Sequence, residues 1–196
     1  MIAIKTAFIL LGPHGAGKSS LGHALAQTTS IPFHHEIGNE LRLGTTVPVD
    51  AGQPDFDEEV FRRELERDEC ILQSTSSSCL IESWHIGNVC FALARGSVGA
   101  LQVHRLAISR EFSRFRVAPI RLQLTKDEFL RRCSEQERSA AEAWAFYRRF
   151  SGHLSRLLLE VKPVIADLLE LPPDIGLAEA VQMSVDWMSR VERSVT

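Results

Sequence analysis

The stretch Gly12-Pro13-His14-Gly15-Ala16-Gly17-Lys18-Ser19 decides how the chain is read. It carries Gly, four free positions and then Gly-Lys-Ser, the spacing at which a turn can surround a polyphosphate with backbone N–H groups. What flanks it fits. Thr6 to Leu11 is a short continuous apolar run, as in a strand covered on both faces. After the turn, Leu21, Ala24 and Leu25 recur at helical spacing. Gly12, Gly15 and Gly17 allow the backbone to approach closely, and a helix opening at Lys18 adds its positive dipole end. The Lys18 ammonium is expected at the β- and γ-phosphates and the Ser19 hydroxyl on Mg²⁺, with Pro13, His14, Ala16 and Ser20 completing the nucleotide contacts.

Outward from the turn, strand-like and helix-like segments alternate. Phe33 to Glu36 reads as a short strand, 44–54 as a loop, and Asp55 with Glu58 as a capping box opening a helix with the stripe Phe56, Val60, Phe61 and Leu65. Ser74 to Ser78 reads as loop and Cys79-Leu80-Ile81 as a buried strand. Val89 to Ile108 is expected to be helical with breaks near Gly96 and Gly99. Pro119 to Leu124 reads as a strand, and Thr125 with Glu128 caps the next helix. Ala140 to Leu159 is expected as helix, Pro163 to Ala166 as a last strand and Leu177 to Val191 as a terminal amphipathic helix. Such alternation predicts a three-layer α/β fold, with a mostly parallel five-stranded sheet and helices on both faces. Ligands of such sheets gather beyond the carboxyl ends of the strands, which puts residues 12–19, Glu36 and Glu82 on one rim.

Composition limits the alternatives. The 196 residues, 44% hydrophobic and 24% charged, suit one globular domain over 1–196. Lys plus Arg number 22 against 25 acidic residues, a formal charge of −3, and a nucleic-acid partner is not expected from that balance. Cys70, Cys79, Cys90 and Cys133 form no C-x-x-C pair, so neither a disulfide framework nor a zinc site is expected. No apolar run approaches the roughly 18 residues of a membrane span, and a cytoplasmic protein is the expectation.

The residues Ile31-Pro32-Phe33-His34-His35-Glu36-Ile37-Gly38-Asn39-Glu40-Leu41-Arg42 resemble the segment after the phosphate-loop helix of nucleoside monophosphate kinases. Adenylate kinase-like members carry I-P…G-D-x-L-R there and thymidylate kinase-like members E-P-G…I-R. The resemblance assigns Arg42 to the acceptor phosphate. Glu82 follows a strand where this superfamily places an acidic residue near Mg²⁺ or the reacting oxygen. Glu82-Ser83-Trp84-His85-Ile86-Gly87-Asn88 is also similar to the D-R-Y…S-N segment of thymidylate kinases and the E-R-S segment of deoxynucleoside kinases. Ser83 stands where those motifs have Arg, and Arg95 is the nearby residue able to substitute. Trp84 has two readings, a base-stacking ring or core. Glu36 likewise has two: base for an acceptor hydroxyl, as in deoxynucleoside kinases, or a hydrogen-bonding partner of substrate or Arg42.

Arg131, Arg132, Arg138, Arg148 and Arg149 crowd the region where the resembling kinases hold their lid, here about 131–149, with an acceptor-binding insertion at about 36–72. From these, Arg132 and Arg138 are expected to act on the transferring phosphoryl group with Lys18, Glu36 and Glu82. Arg149 joins Glu36, Arg42, Trp84 and Arg95 at the acceptor. The expected function is phosphotransfer from ATP, with Mg²⁺ on Ser19 and Glu82, to a nucleotide or nucleoside acceptor. A small-metabolite kinase of the shikimate or gluconate sort is one alternative. A nucleotide-dependent ATPase or switch acting on a macromolecular partner is another, although no N-K-x-D or T-K-x-D guanine-reading motif occurs. An oligomer is compatible with all three.

Overall fold

A computed structural model describes residues 4–44, 54–96, 98–133 and 140–194. The first unit is β1 (Lys5–Leu11), the glycine-rich turn and α1 (Lys18–Thr29). Then come β2 (Phe33–His34), α2 (Ile37–Gly44), α3 (Pro54–Gln73), β3 (Ser78–Glu82), α4 (Trp84–Arg95) and α5 (Val98–Glu111). The chain finishes with β4 (Phe115–Arg121), α6 (Lys126–Cys133), α7 (Ala140–Val161), β5 (Leu169–Glu170) and α8 (Leu177–Arg193). The sheet runs β2-β3-β1-β4-β5, and all its pairings are parallel.

β1 is the centre of the sheet, paired Ala7 to Cys79 on β3 and Ala7 to Val117 on β4. Because side chains alternate across a strand, its apolar run feeds two cores at once. Phe8 and Leu10 pack with Leu21 and Leu25 of α1, Ala118 and Ile120 of β4, and Trp187 and Met188 of α8. Ala7, Ile9 and Leu11 pack on the opposite face with Val89 and Phe91 of α4 and with Phe150 and Leu154 of α7. Each such side chain contributes about 1.5–3 kcal/mol on burial. That is why β1 holds the phosphate turn firmly. A small third cluster, Ile37, Leu41, Phe56 and Val60, joins α2 to α3 over the sheet rim.

The α/β architecture, the parallel sheet and most elements agree with the sequence expectations. The helix α2 was not expected, β2 stops at His34 short of Glu36 and β4 at Arg121 short of Leu124. Three further boundaries also differ. The last strand is Leu169–Glu170; Pro163 to Ala166 is a turn whose Ala166 N–H still reaches Val117 O at 2.8 Å. β4 starts at Phe115, ahead of the expected Pro119. α4 starts at Trp84 instead of Val89, because Ser83 (φ 64°) and Trp84 (φ 49°) take left-handed backbone and turn the chain sharply off β3. Non-glycine residues in that region are strained and are held by their surroundings. Here Gly87 N–H bonds Ser83 O at 2.8 Å. The side chain of Asp55, the loop over 45–53 and Arg138 lie outside the described residues. No described helix is long and apolar enough to cross a membrane.

Candidate active site

The turn between β1 and α1 has the shape its sequence implies. Gly17 is left-handed (φ 92°), and a Cβ on Gly12 would come within 2.9 Å of Leu122 O. Lys18 is buried and donates to Pro13 O at 3.2 Å, so its ammonium is curled under the turn. It lies between two buried carboxylates, 3.8 Å from Glu36 Oε2 and 3.7 Å from Glu82 Oε1. Glu36 arrives from the end of β2 and Glu82 from the end of β3, so sheet order alone brings them to the lysine.

Ser19 Oγ donates to both oxygens of Glu82 at 3.0 Å, and His35 Nδ1 stands 3.8 Å from that carboxylate. A hydroxyl and a carboxylate beside a phosphate cradle form an oxygen donor set of the kind Mg²⁺ prefers, completed by water and phosphate. The residues present therefore fit the ion.

Glu36 Oε2 accepts from Ser83 Oγ at 2.8 Å, and Oε1 lies 3.4 Å from Arg42 Nη2. Burial by itself would raise its pKa. The Lys18 ammonium first, then His14, the Ser83 hydroxyl and Arg42 outweigh burial and hold the carboxyl below its ordinary value. His14 keeps solvent-exposed surface but stacks on Phe91 at 4.6 Å. Its pKa is lowered, by loss of hydration and then by Lys18, Arg42 and Arg95 against the opposing pull of Glu36.

These groups line a cleft of about 560 Å³ that also includes Gly15, Ser20, Asn39 and Arg132. Arg132 Nη1 donates to Gly15 O at 2.9 Å while its Nε is held by Glu128 at 2.6 Å, so α6 places a guanidinium directly over the turn. Beside it an apolar slot of about 230 Å³ runs past Leu122, Leu124, Pro172 and Ile175, bounded by Arg132. A flat base fits such a slot.

Beyond Glu36 the cleft leads to a small pocket of about 20 Å³ between α2, α3, α4 and α5. Arg42, Asp57, Asn88, Arg95 and His104 line it with His14, Phe56 and Phe91. Arg95 Nη2 bonds Asp57 Oδ1 at 2.8 Å, and its buried Nε has no hydrogen-bond partner among the described residues. Burial, and then Arg42, lower its pKa against Asp57 and Glu36.

Of the residues read from sequence, Gly15, Gly17, Lys18, Ser19, Ser20, His14, Glu36, Glu82, Arg42, Arg95 and Arg132 line these connected spaces. Ala16 faces the base slot, and Gly12 and Pro13 form the turn behind it. Two assignments fail. Trp84 is fully buried, stacked 5.8 Å from Phe112 with its Nε1 donating to Asp68, and cannot stack on a base. Arg149 donates to Ala94 O and lies over Phe146, and it is not among the residues that line the cleft or the pocket. Arg131 is exposed and paired to Glu128. Asn39, Asp57, Asn88, His104 and the base slot went unread. Asp57 sits in a charged helix and His104 in an apolar one, and neither spacing sets them apart.

A parallel five-stranded sheet with this phosphate-binding turn between β1 and α1 is a three-layer α/β fold. No protein-family model matches the chain. A shikimate kinase of Rhodococcus jostii is 37% identical over 81 residues, a match that takes in 38% of this chain and 48% of that relative. Among solved structures, NadR in complex with NAD and AMP-PNP superposes with a TM-score of 0.69 at 16% identity, over 95% of this chain and 50% of NadR. Shikimate kinase from Aquifex aeolicus gives 0.59 at 16%, over 94% and 96% of the two chains. Deoxyadenosine kinase from M. mycoides gives 0.63 at 7%, over 94% and 100%.

Proposed function

We propose that the protein is an ATP-dependent phosphotransferase that moves the γ-phosphoryl group to a hydroxyl of a small acceptor. The observation carrying this is Glu36: buried, held ionised, and 3.8 Å from the Lys18 ammonium that marks the γ-phosphate end of the turn. A hydroxyl must lose its proton as the bond between its oxygen and phosphorus forms and the β,γ-bridging bond breaks. Glu36 is the carboxylate placed to take that proton. Lys18, the turn N–H groups and Arg132 hold and neutralise the phosphates, which supplies most of the rate in phosphoryl transfer. Mg²⁺, held by Ser19 and Glu82, would neutralise charge on the β- and γ-oxygens. The base slot beside Arg132 suits the adenine of ATP.

Relatives of this fold bind nucleosides and small metabolites, and the main acceptor class remains a nucleoside or nucleotide. A second reading, a small hydroxy acid, draws support from the partial match to a shikimate kinase and from Trp84 being buried. ADP release across nucleosides, their monophosphates and hydroxy acids tests both. Turnover with a nucleoside or a hydroxy acid supports the proposal; turnover confined to monophosphates, whose phosphate needs no base, removes Glu36 as the base, and ATP hydrolysis unchanged by every acceptor sinks the kinase reading.

A further inference from the structure

Between β3 and α4 the backbone takes a conformation that glycine would adopt at less cost. Ser83 has φ 64° and ψ −56°, and Trp84 after it has φ 49°. Such residues persist only where their surroundings hold them, and they cluster at functional sites. Here the hold comes from three sides. Ser83 N–H donates to Leu10 O of β1 at 3.0 Å, and Ser83 O accepts from Gly87 N–H at 2.8 Å. Trp84 Nε1 donates to the two oxygens of buried Asp68 at 3.0 and 3.1 Å. Gly87 leaves the room that the serine side chain takes up, since a Cβ there would stand 2.7 Å from Ser83 Cβ.

What the turn delivers is one hydroxyl. Ser83 Oγ donates to Glu36 Oε2 at 2.8 Å, and the Lys18 ammonium lies 3.8 Å from the same oxygen. Oε1 is left with Arg42 Nη2 at 3.4 Å, and Arg42 lines both the cleft and the small pocket beside it. Ser83 is 1% exposed and lines neither space, so it reaches the reaction only through Glu36. The backbone before Glu36 is already tied, because Arg67 Nη1 donates to His35 O at 3.2 Å. The carboxylate is the part left to settle. The terminal torsion of a glutamate is soft, and a hydrogen bond to one oxygen fixes where the other one faces.

We propose that Ser83 is a positioning residue for phosphoryl transfer: its hydroxyl pins Glu36 Oε2 and thereby turns Oε1 toward the acceptor as the oxygen that takes the proton. This rests on the phosphotransfer reading above, with Glu36 as the base. In that step the acceptor hydroxyl proton passes to Oε1 as the acceptor oxygen bonds to the γ-phosphorus. The β,γ-bridging bond breaks and its electron pair leaves with ADP. Oε2 keeps its hydrogen bond and its cation throughout. The left-handed turn is then the device that aims so short a side chain at the carboxylate.

The test is a double-mutant cycle, read with whichever nucleoside or hydroxy acid turns over fastest. Ser83→Ala should lower kcat about tenfold, the size of a lost hydrogen bond to a charged group, with the KM values of ATP and acceptor little changed. Ser83→Gly, which suits the left-handed backbone and so guards against misfolding of the alanine variant, should show the same loss. Glu36→Gln alone should cost about 10²-fold, and adding Ser83→Gly to it should cost less than about twofold more, because the serine acts through the base. A merely structural serine would multiply the two losses. Multiplied losses, an unchanged kcat in Ser83→Gly, or a loss carried by the ATP KM overturns the proposal while the kinase reading stands. Full kcat in Glu36→Gln, or no turnover with any hydroxyl acceptor, removes the base itself and the role of Ser83 with it.

Discussion

The two halves of the cleft are built in opposite ways. The phosphate half is one contiguous stretch, residues 12–20, set by a central strand and made largely of backbone. The acceptor half is assembled from side chains at positions 36, 42, 57, 88, 95 and 104, contributed by four helices and the end of β2. On the proposed reading the first would recognise something any nucleotide offers and the second its own ligand. The charges of the second pair with one another, Arg42 with Glu36 and Arg95 with Asp57. Contiguous backbone yields a general grip; scattered side chains yield selectivity.

The largest effect should come from breaking the shared grip. Lys18→Ala is expected to lower kcat by at least about 10³-fold, since electrostatic stabilisation dominates this chemistry, while circular dichroism shows the fold intact. Near-normal turnover would refute the phosphate-turn assignment. At the junction of the halves, Glu36→Gln should lower kcat by about 10²-fold with the ATP KM unmoved, a milder loss than Lys18→Ala. Arg42→Ala, wholly in the acceptor half, should raise the acceptor KM about tenfold to a hundredfold and spare ATP binding. Equal damage to both ligands would mean that the halves are not separable.

The smallest effect is on stability. Glu36 has a folded-state pKa below its ordinary value of 4.5, so its contribution is present above that value and is lost as pH falls through the folded pKa. Denaturant midpoints of the wild type should therefore fall below about pH 4.5 more steeply than those of Glu36→Gln. Parallel acid limbs would show that Glu36 is not held ionised by Lys18.

The same contrast explains what could be read from sequence. The turn was legible because its residues are adjacent and each has a backbone or charge reason to be there. β1 and α1 were legible by their apolar spacing. β5 was not, because two residues, Leu169 and Glu170, give too little pattern to mark a strand. The start of α4 was missed because no glycine announces the left-handed backbone at Ser83 and Trp84. Half of the acceptor positions stayed hidden for a different reason. Asp57, Glu64 and Asp68 of α3 have the charge pattern of a solvated helix face, yet all three are buried. Only tertiary packing separates a buried acid from a washed one.

Lys18 is wedged between Glu36 and Glu82 with Pro13 O at its back, so two carboxylates of the cleft serve as its counter-ions. Nucleotide entry is then an exchange of partners. On the proposed reading, a triphosphate would draw the ammonium away from these two anions, and a divalent cation held by Ser19 and Glu82 would give Glu82 a replacement partner. Affinity for the nucleotide should thus be muted without the cation and rise steeply with it, as in an ion-exchange resin whose fixed charges are already loaded.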